Sequence, residues 1–201
     1  MKVYQLIFLL VLIFVMDRSA LAQIDSLHKE KLRKPLKIGG YIAGVFERAP
    51  VSPGQTNSFG LQTAVILKKH LQLGFYGMSY TNNSYREQLI FPNTFQMNYK
   101  HAGVLLGYRI HLDTKVAFNV ESKLGLGEVK WIQLERGSPF LANKFQMIHL
   151  QASIDYLITN FLVINAFIGH RWMNGLDITG LNNDDFKGWY FGMALKVGKF
   201  K

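Results

Sequence analysis

From Val116 to Leu124 the chain reads VAFNVESKL: Val116, Phe118, Val120 and Leu124 are apolar, and Asn119, Glu121 and Lys123 stand between them. Side chains on a β-strand alternate between two faces, so this stretch offers one mainly apolar face and one that carries a carboxylate, an amide and an ammonium. The same period of two recurs along the chain. It predicts eight strands, near 36–46, 58–68, 70–80, 98–110, 115–126, 145–158, 161–171 and 187–199. Each has about the ten residues that a tilted membrane-spanning strand requires. No segment carries the sustained three-and-four apolar spacing of an amphipathic helix.

The faces sort consistently. Leu71, Leu73 and Phe75 oppose Gln72, Gly74 and Tyr76; Val104, Leu106 and Tyr108 oppose Gly103, Gly107 and Arg109. Ile148, Leu150, Ala152 and Ile154 oppose His149, Gln151, Ser153 and Asp155, and Phe191, Met193, Leu195 and Val197 oppose Tyr190, Gly192, Lys196 and Gly198. In the first strand Ile38, Ile42 and Phe46 are assigned outward. Connections alternate too: turns at Lys68–His70, His111–Thr114 and Thr159–Asn160 are tight, whereas segments near 47–57, 80–97, 127–144 and 172–186 are long. Pro50, Pro53, Pro92 and Pro139 all fall in the long segments, where no ladder hydrogen bond is lost.

This pattern predicts an all-β fold, an eight-stranded antiparallel up-and-down transmembrane β-barrel with short periplasmic turns and long outer loops. Its lumen would hold a polar network of Arg109, Asn119, Glu121, Lys123, His149, Gln151 and Asp155, with Lys123, His149 or Gln151 as partner of Glu121. Trp131, Trp172 and Trp189, at strand ends on the long-loop side, would form an outer aromatic girdle. Tyr108, Tyr156 and Phe161 would form the opposite one. The competing fold is a soluble lipocalin-like barrel, with the apolar face turned inward around a hydrophobic ligand.

The N-terminus reads as a secretory signal peptide over residues 1–22: Lys2, an apolar run shorter than a membrane span, and SALAQ with small residues at Ala20 and Ala22. A polar periplasmic lead-in, 23–35, then precedes a barrel over 36–201. There is no cysteine, so neither disulfides nor a thiolate metal site contribute. The net charge of +10 becomes +9 once Lys2, Arg18 and Asp17 leave with the signal. In an exported chain the expected anionic neighbour is lipid phosphate rather than nucleic acid. Arg86, Lys130, Arg136, Lys144, Arg171 and Lys187, in or beside the outer segments, are the candidate phosphate contacts.

No G-x-S-x-G, H-E-x-x-H or phosphate-binding glycine loop is present, and no cofactor or metal is expected. An acylation triad of His149, Ser153 and Asp155 would place His149 and Ser153 about 13 Å apart on one strand face, beyond hydrogen-bond reach. In DITGLNNDDF, 177–186, the acidic and amide residues lack the spacing of a calcium loop and read as turn formers.

The stretches AGVLLGYRIHLDTKVAFNVESKLGLG and GWYFGMALKVGKF, together with the alternating connections, resemble the small eight-stranded outer-membrane β-barrel family: the OmpA transmembrane domain, OmpX and OmpW-like proteins, and the short porin-family barrels of Gram-negative bacteria. The resemblance implies an outer-membrane location, outer-membrane lipids and lipopolysaccharide as neighbours, and insertion by the barrel-assembly machinery. It implies a structural or surface-interaction role, with lipid binding or transfer, or lipid A modification, as alternatives; an eight-stranded barrel has an interior only wide enough for side chains to fill, so a general pore is not expected. The family's last strand usually ends on an aromatic; here Phe200 is penultimate and out of phase with Val197 and Leu195.

Overall fold

The computed structural model describes residues 38–51, 54–80, 95–133, 139–178 and 181–200, with the backbone alone at 51, 54, 95, 96, 131, 133, 139–141, 178 and 181. The segments expected to be a signal peptide and a lead-in, together with Arg86 and Arg136, lie outside the described residues. Eight long strands close into one barrel: β1 (Ile38–Val51), β2 (Gly54–Leu67), β3 (Leu71–Tyr80), β4 (Phe95–His111), β5 (Val116–Gln133), β6 (Pro139–Leu157), β7 (Leu162–Asn174) and β10 (Gly188–Lys199). Each pairs antiparallel with its chain neighbour, and β10 closes on β1, from Gly40 opposite Lys199 to Arg48 opposite Phe191. A short hairpin, β8 (Asp177–Ile178) and β9 (Leu181–Asn182), and a one-turn helix α1 (Asn183–Phe186) lie between β7 and β10.

The apolar face is the outer one. Ile42, Leu61, Phe75 and Leu126 are 64–68% exposed, whereas Lys196, Glu121, Asp155 and Arg171 are at most 1% exposed. A water-soluble barrel of the lipocalin kind has the opposite arrangement, so that alternative is set aside. Ile38, Ile42 and Phe46 face outward as assigned. Inward glycines make room for large lumen side chains. A Cβ on Gly125 would sit 2.2 Å from the Tyr76 hydroxyl, and one on Gly169 would sit 2.5 Å from the Tyr190 ring.

The strands run further at the long-loop end than their apolar outer faces suggest. The segment 47–57, expected to be a long loop, is paired sheet almost throughout: Glu47 opposes Ser58, Arg48 opposes Asn57, and Val51 opposes Gly54. Pro50 therefore lies within a strand and Pro139 begins one, contrary to the expectation that prolines avoid the strands. Pro50 sits two residues above Arg48, at the free end of the β1–β2 hairpin, where β10 no longer pairs with β1. Its missing N–H costs no rung there.

On β4 and β6 the polarity of the two faces reverses in the extension, whereas the inner face of β1 and β2 stays polar there, with Glu47, Thr56 and Ser58 buried. On β6 the outer residues Ile148 and Leu150 give way to Gln146 and Lys144, while the inner His149 gives way to Met147 and Phe145. On β4 the outer Ala102 and Val104 give way to Lys100 and Asn98, and the inner His101 to Tyr99 and Met97. Met97, Tyr99, Val129, Phe145, Met147, Met173, Leu176 and Phe186 form an apolar core inside the barrel mouth. A sheet with charged residues outside and apolar ones inside is built for water; its continuation, apolar outside and polar inside, is built for hydrocarbon. The reversal marks the boundary. Below it, Ile148 to Tyr156 covers about 27 Å along the strand, or about 21 Å along the barrel axis at a tilt of about 40°, the scale of an apolar band about 25 Å tall.

Candidate functional site

The lumen is cross-linked from wall to wall. Gln62 Nε2 donates to the Tyr41 hydroxyl (2.7 Å), which donates to Gln72 Oε1 (3.2 Å); Gln72 Nε2 donates to Asn119 Oδ1 (2.9 Å), and Asn119 Nδ2 to Ser153 Oγ (3.2 Å). That chain joins β2, β1, β3, β5 and β6. Lys123 Nζ donates to Gln151 Oε1 (3.1 Å), which also accepts from the Tyr190 hydroxyl (3.2 Å), and Gln151 Nε2 donates to Glu121 Oε2 (3.1 Å). Lys196 Nζ lies 2.9 Å from Asp155 Oδ1 and 3.8 Å from Glu121 Oε1. Arg109 approaches the other oxygen of Asp155 at 3.5 Å, and Asn165 Nδ2 donates to Asp155 Oδ1 at 2.7 Å.

All seven residues expected in the lumen are there, and the structure settles their partners. Glu121 is bonded by Gln151 and faces Lys196; Lys123 turns to Gln151 instead. Asn119 takes Ser153, so Ser153 does not meet His149, whose Nε2 lies 2.6 Å from Met147 Sδ. His149 and His101 pack with ring centres 5.5 Å apart, among the rings of Tyr76, Tyr99 and Tyr190. Sequence reasoning passed over Tyr41, Glu47, Gln62, Gln72, Asn165 and Lys196 as members of the network. Their signal was parity alone: each occupies the inward phase of its strand.

Arg171, expected to reach lipid phosphate, is instead fully buried at the barrel mouth. Its position is odd in β7, the inward phase. Its guanidinium lies 3.5 Å from Glu47 Oε1 and donates from one amino group to the Pro50 carbonyl (2.8 Å), and from Nε to the Phe186 carbonyl (2.5 Å). It therefore ties β7 to β1 and to α1. That helix begins at Asn182 with a reciprocal cap, Asn182 Oδ1 accepting from the Asp184 amide and Asp185 Oδ2 from the Asn182 amide. Phe186 follows, wholly buried, its ring 5.3 Å from that of Tyr99. Asn182 and Asp185 are thus spent on capping. Among the described residues no group of three or more His, Asp or Glu side chains stands close enough to hold a metal ion.

At the short-turn end Phe200 turns into the lumen, stacked 5.9 Å from Tyr41 with the Arg109 guanidinium 5.3 Å from its ring. Being out of phase with the outer row of β10, it closes the barrel from below rather than facing outward. On the outer wall Trp172 and Trp189 flank His170 at the long-loop side, with ring centres 4.4 and 5.4 Å away. Trp131 pairs its backbone with Met97, and its side chain lies outside the described residues. Tyr108, Tyr156 and Phe161 are exposed near the short turns. Lys130 and Lys144 face outward just above the polarity boundary, where Lys100 and Glu128 join them; Lys187 is exposed beside α1. The Lys130 ammonium, 3.0 Å from Glu128, holds that carboxyl below its ordinary range by hydrogen bonding.

No protein-family model matches the sequence, and no curated protein matches it. Among solved structures the chain is similar to the Neisserial surface protein A, at 14% identity and a TM-score of 0.58, over 80% of this chain and 96% of that one. It is also similar to Ail, the attachment invasion locus protein of Yersinia pestis, at 12% identity and a TM-score of 0.53, over 80% and 97% of the two chains. The strand count, closure and apolar outer wall agree with that likeness. The chain has the fold of the small eight-stranded outer-membrane β-barrels.

Proposed function

We propose that the chain is an integral outer-membrane barrel with a structural or surface-interaction role, and that its lumen is not a general diffusion path. The observation that carries this reading is the filled interior. An eight-stranded barrel has room for its own side chains and little else. Here four cations (Arg109, Lys123, Arg171, Lys196) and three carboxylates (Glu47, Glu121, Asp155) are interlocked inside it. Above them the core around Phe186 stops the mouth, and Phe200 stops the other end. A non-catalytic role is supported by the separation of Ser153 from His149, each engaged elsewhere. Export through a cleaved signal peptide, insertion by the barrel-assembly machinery, and an outward-facing long-loop end belong to the same reading.

Two measurements on the expressed protein test it. Recovery with carbonate-washed outer membranes, together with faster gel migration of unheated than of boiled samples, is expected. Recovery with the soluble periplasmic fraction would contradict the membrane reading. In planar bilayers the folded protein should give no steady conductance; stable channels reproduced across preparations would contradict the filled lumen and favour transport.

A further inference from the structure

The charged groups inside the barrel do not balance. Among the described residues four cations and three carboxylates are buried there: Arg109, Lys123, Arg171 and Lys196 against Glu47, Glu121 and Asp155. Arg171 faces Glu47, Lys196 faces Glu121 and Asp155, and Arg109 faces the second oxygen of Asp155. Lys123 is the cation that no carboxylate of the described residues reaches at ion-pair distance. Its ammonium can donate three hydrogen bonds and gives one, to Gln151 Oε1, an oxygen shared with the Tyr190 hydroxyl. Its remaining contacts are the rings of Tyr76 and Phe167, with centres 5.6 Å away. A charge taken out of water without an opposite charge beside it is costly.

Two further donors beside Lys123 also lack a partner. The Tyr76 hydroxyl and both ring nitrogens of His101 are buried and meet no hydrogen-bonding group among the described residues. A neutral imidazole carries one N–H, and a buried phenol O–H ordinarily finds an acceptor. The sheet brings these groups together. Tyr76 on β3 pairs with Gly103 on β4, and Gly103 with Gly125 on β5, so the Tyr76 ring crosses two inward positions without side chains and its hydroxyl lies over Gly125. Lys123 is the next inward residue of β5 on one side of that row, and His101 the next of β4 on the other. The His101 and Tyr76 ring centres are 5.5 Å apart. An ion that accepts hydrogen bonds of about 3 Å spans donors about 6 Å apart. His149 stacks on His101 and turns its Nε2 to Met147 Sδ, so it forms the wall of this cluster rather than part of its donor set.

We propose that the lumen holds one buried chloride ion, which accepts from Lys123 Nζ, the Tyr76 hydroxyl and a ring N–H of His101. A single negative charge makes the interior neutral, and a small spherical acceptor suits donors that converge from three adjacent strands between aromatic rings. The ion is a fixed counter-ion of the fold, not a conducted one.

The test is urea unfolding of the full-length protein from lipid vesicles at constant ionic strength, in sodium chloride and in sodium gluconate. Chloride at about 100 mM should raise the folding equilibrium constant of the parent at least about tenfold, as a site with a Kd of about 10 mM or below requires. Lys123→Met should lose that difference. Because it removes the unmatched charge together with its ion, it should also unfold in gluconate no more readily than the parent. Tyr76→Phe keeps the ring and removes one donor, so it should shrink the difference. Lys199→Met, at the exposed end of β10, should keep it in full. Crystals grown in bromide should show an anomalous peak within hydrogen-bonding distance of Lys123 Nζ. Equal stability of the parent in the two salts would overturn the proposal, as would an undiminished chloride effect in Lys123→Met or bromide crystals without that peak. Should Lys123→Met fail to fold, Tyr76→Phe and the bromide peak decide the matter: an undiminished chloride effect in Tyr76→Phe would then count against the site.

Discussion

Lys196 and His101 are both buried in the lumen, and their environments differ in kind. Lys196 stands between Asp155 and Glu121, 1% exposed, and its removal leaves two carboxylates with Arg109 as the remaining cation beside them and with Asn165 and Gln151 as neutral donors. Breaking a buried ion cluster from one side typically costs about 3–5 kcal/mol, because the remaining charge loses its compensation. Lys196→Met should lower stability by that amount in urea unfolding from lipid vesicles. Lys199→Met, at the exposed end of the same strand, should stay within about 0.5 kcal/mol of the parent. His101 contributes ring packing: it lies against Tyr76, Tyr99 and His149, and neither of its ring nitrogens meets a hydrogen-bonding protein group among the described residues. His101→Phe keeps those contacts and removes the buried polar atoms, so a change smaller than about 1.5 kcal/mol is expected in the same assay. A loss as large as that of Lys196→Met would show that a ring nitrogen of His101 is essential to the lumen.

At the scale of strands and turns, the β2–β3 connection carries a local cost. Lys68 and Lys69 adopt φ of 50° and 68°, and the turn is closed by the His70 amide donating to the Leu67 carbonyl at 3.0 Å. Two consecutive left-handed residues are the geometry that Asn-Gly adopts most readily, and side-chained residues other than Asn and Asp pay for it. Lys68→Asn with Lys69→Gly should therefore stabilise the barrel by about 1 kcal/mol, read as a higher urea midpoint with an unchanged slope. The strands below the polarity boundary were legible in the sequence, because Leu150, Ala152 and Ile154 alternate with Gln151, Ser153 and Asp155 in one fixed phase. The extensions above it were not. At Met147 and Ile148 two apolar residues fall side by side and the phase slips, so that Phe145 is inside and Lys144 outside. In β1 the contrast simply vanishes, since Glu47 and Arg48 are both charged. The membership of the lumen followed from parity, as for Glu121 and Asp155. Lys196 occupies the inward phase of β10 as well, but its pairing with them did not follow, because strands that are not hydrogen-bonded to one another bring these side chains together across the lumen, which no local pattern encodes.

For the molecule as a whole, one barrel wall serves two solvents. Its lower part buries charge inside and shows hydrocarbon to hydrocarbon; its upper part, above Gln146 and Lys100, reverses this and packs Phe186, Tyr99 and Phe145 as a small water-facing domain would. Because the chain contains no cysteine, single cysteines can be placed along the outer row of β6 without disturbing the lumen. The decisive measurement is the quenching of an environment-sensitive dye, attached at positions 144, 146, 148, 150, 152 and 154 in turn, by lipids brominated in their acyl chains. Strong quenching at Ile148, Leu150, Ala152 and Ile154, with little at Lys144 and Gln146, is the expected result. Quenching that continues through Lys144, or that is absent at Leu150 and Ala152, would contradict the placement of the bilayer on this wall.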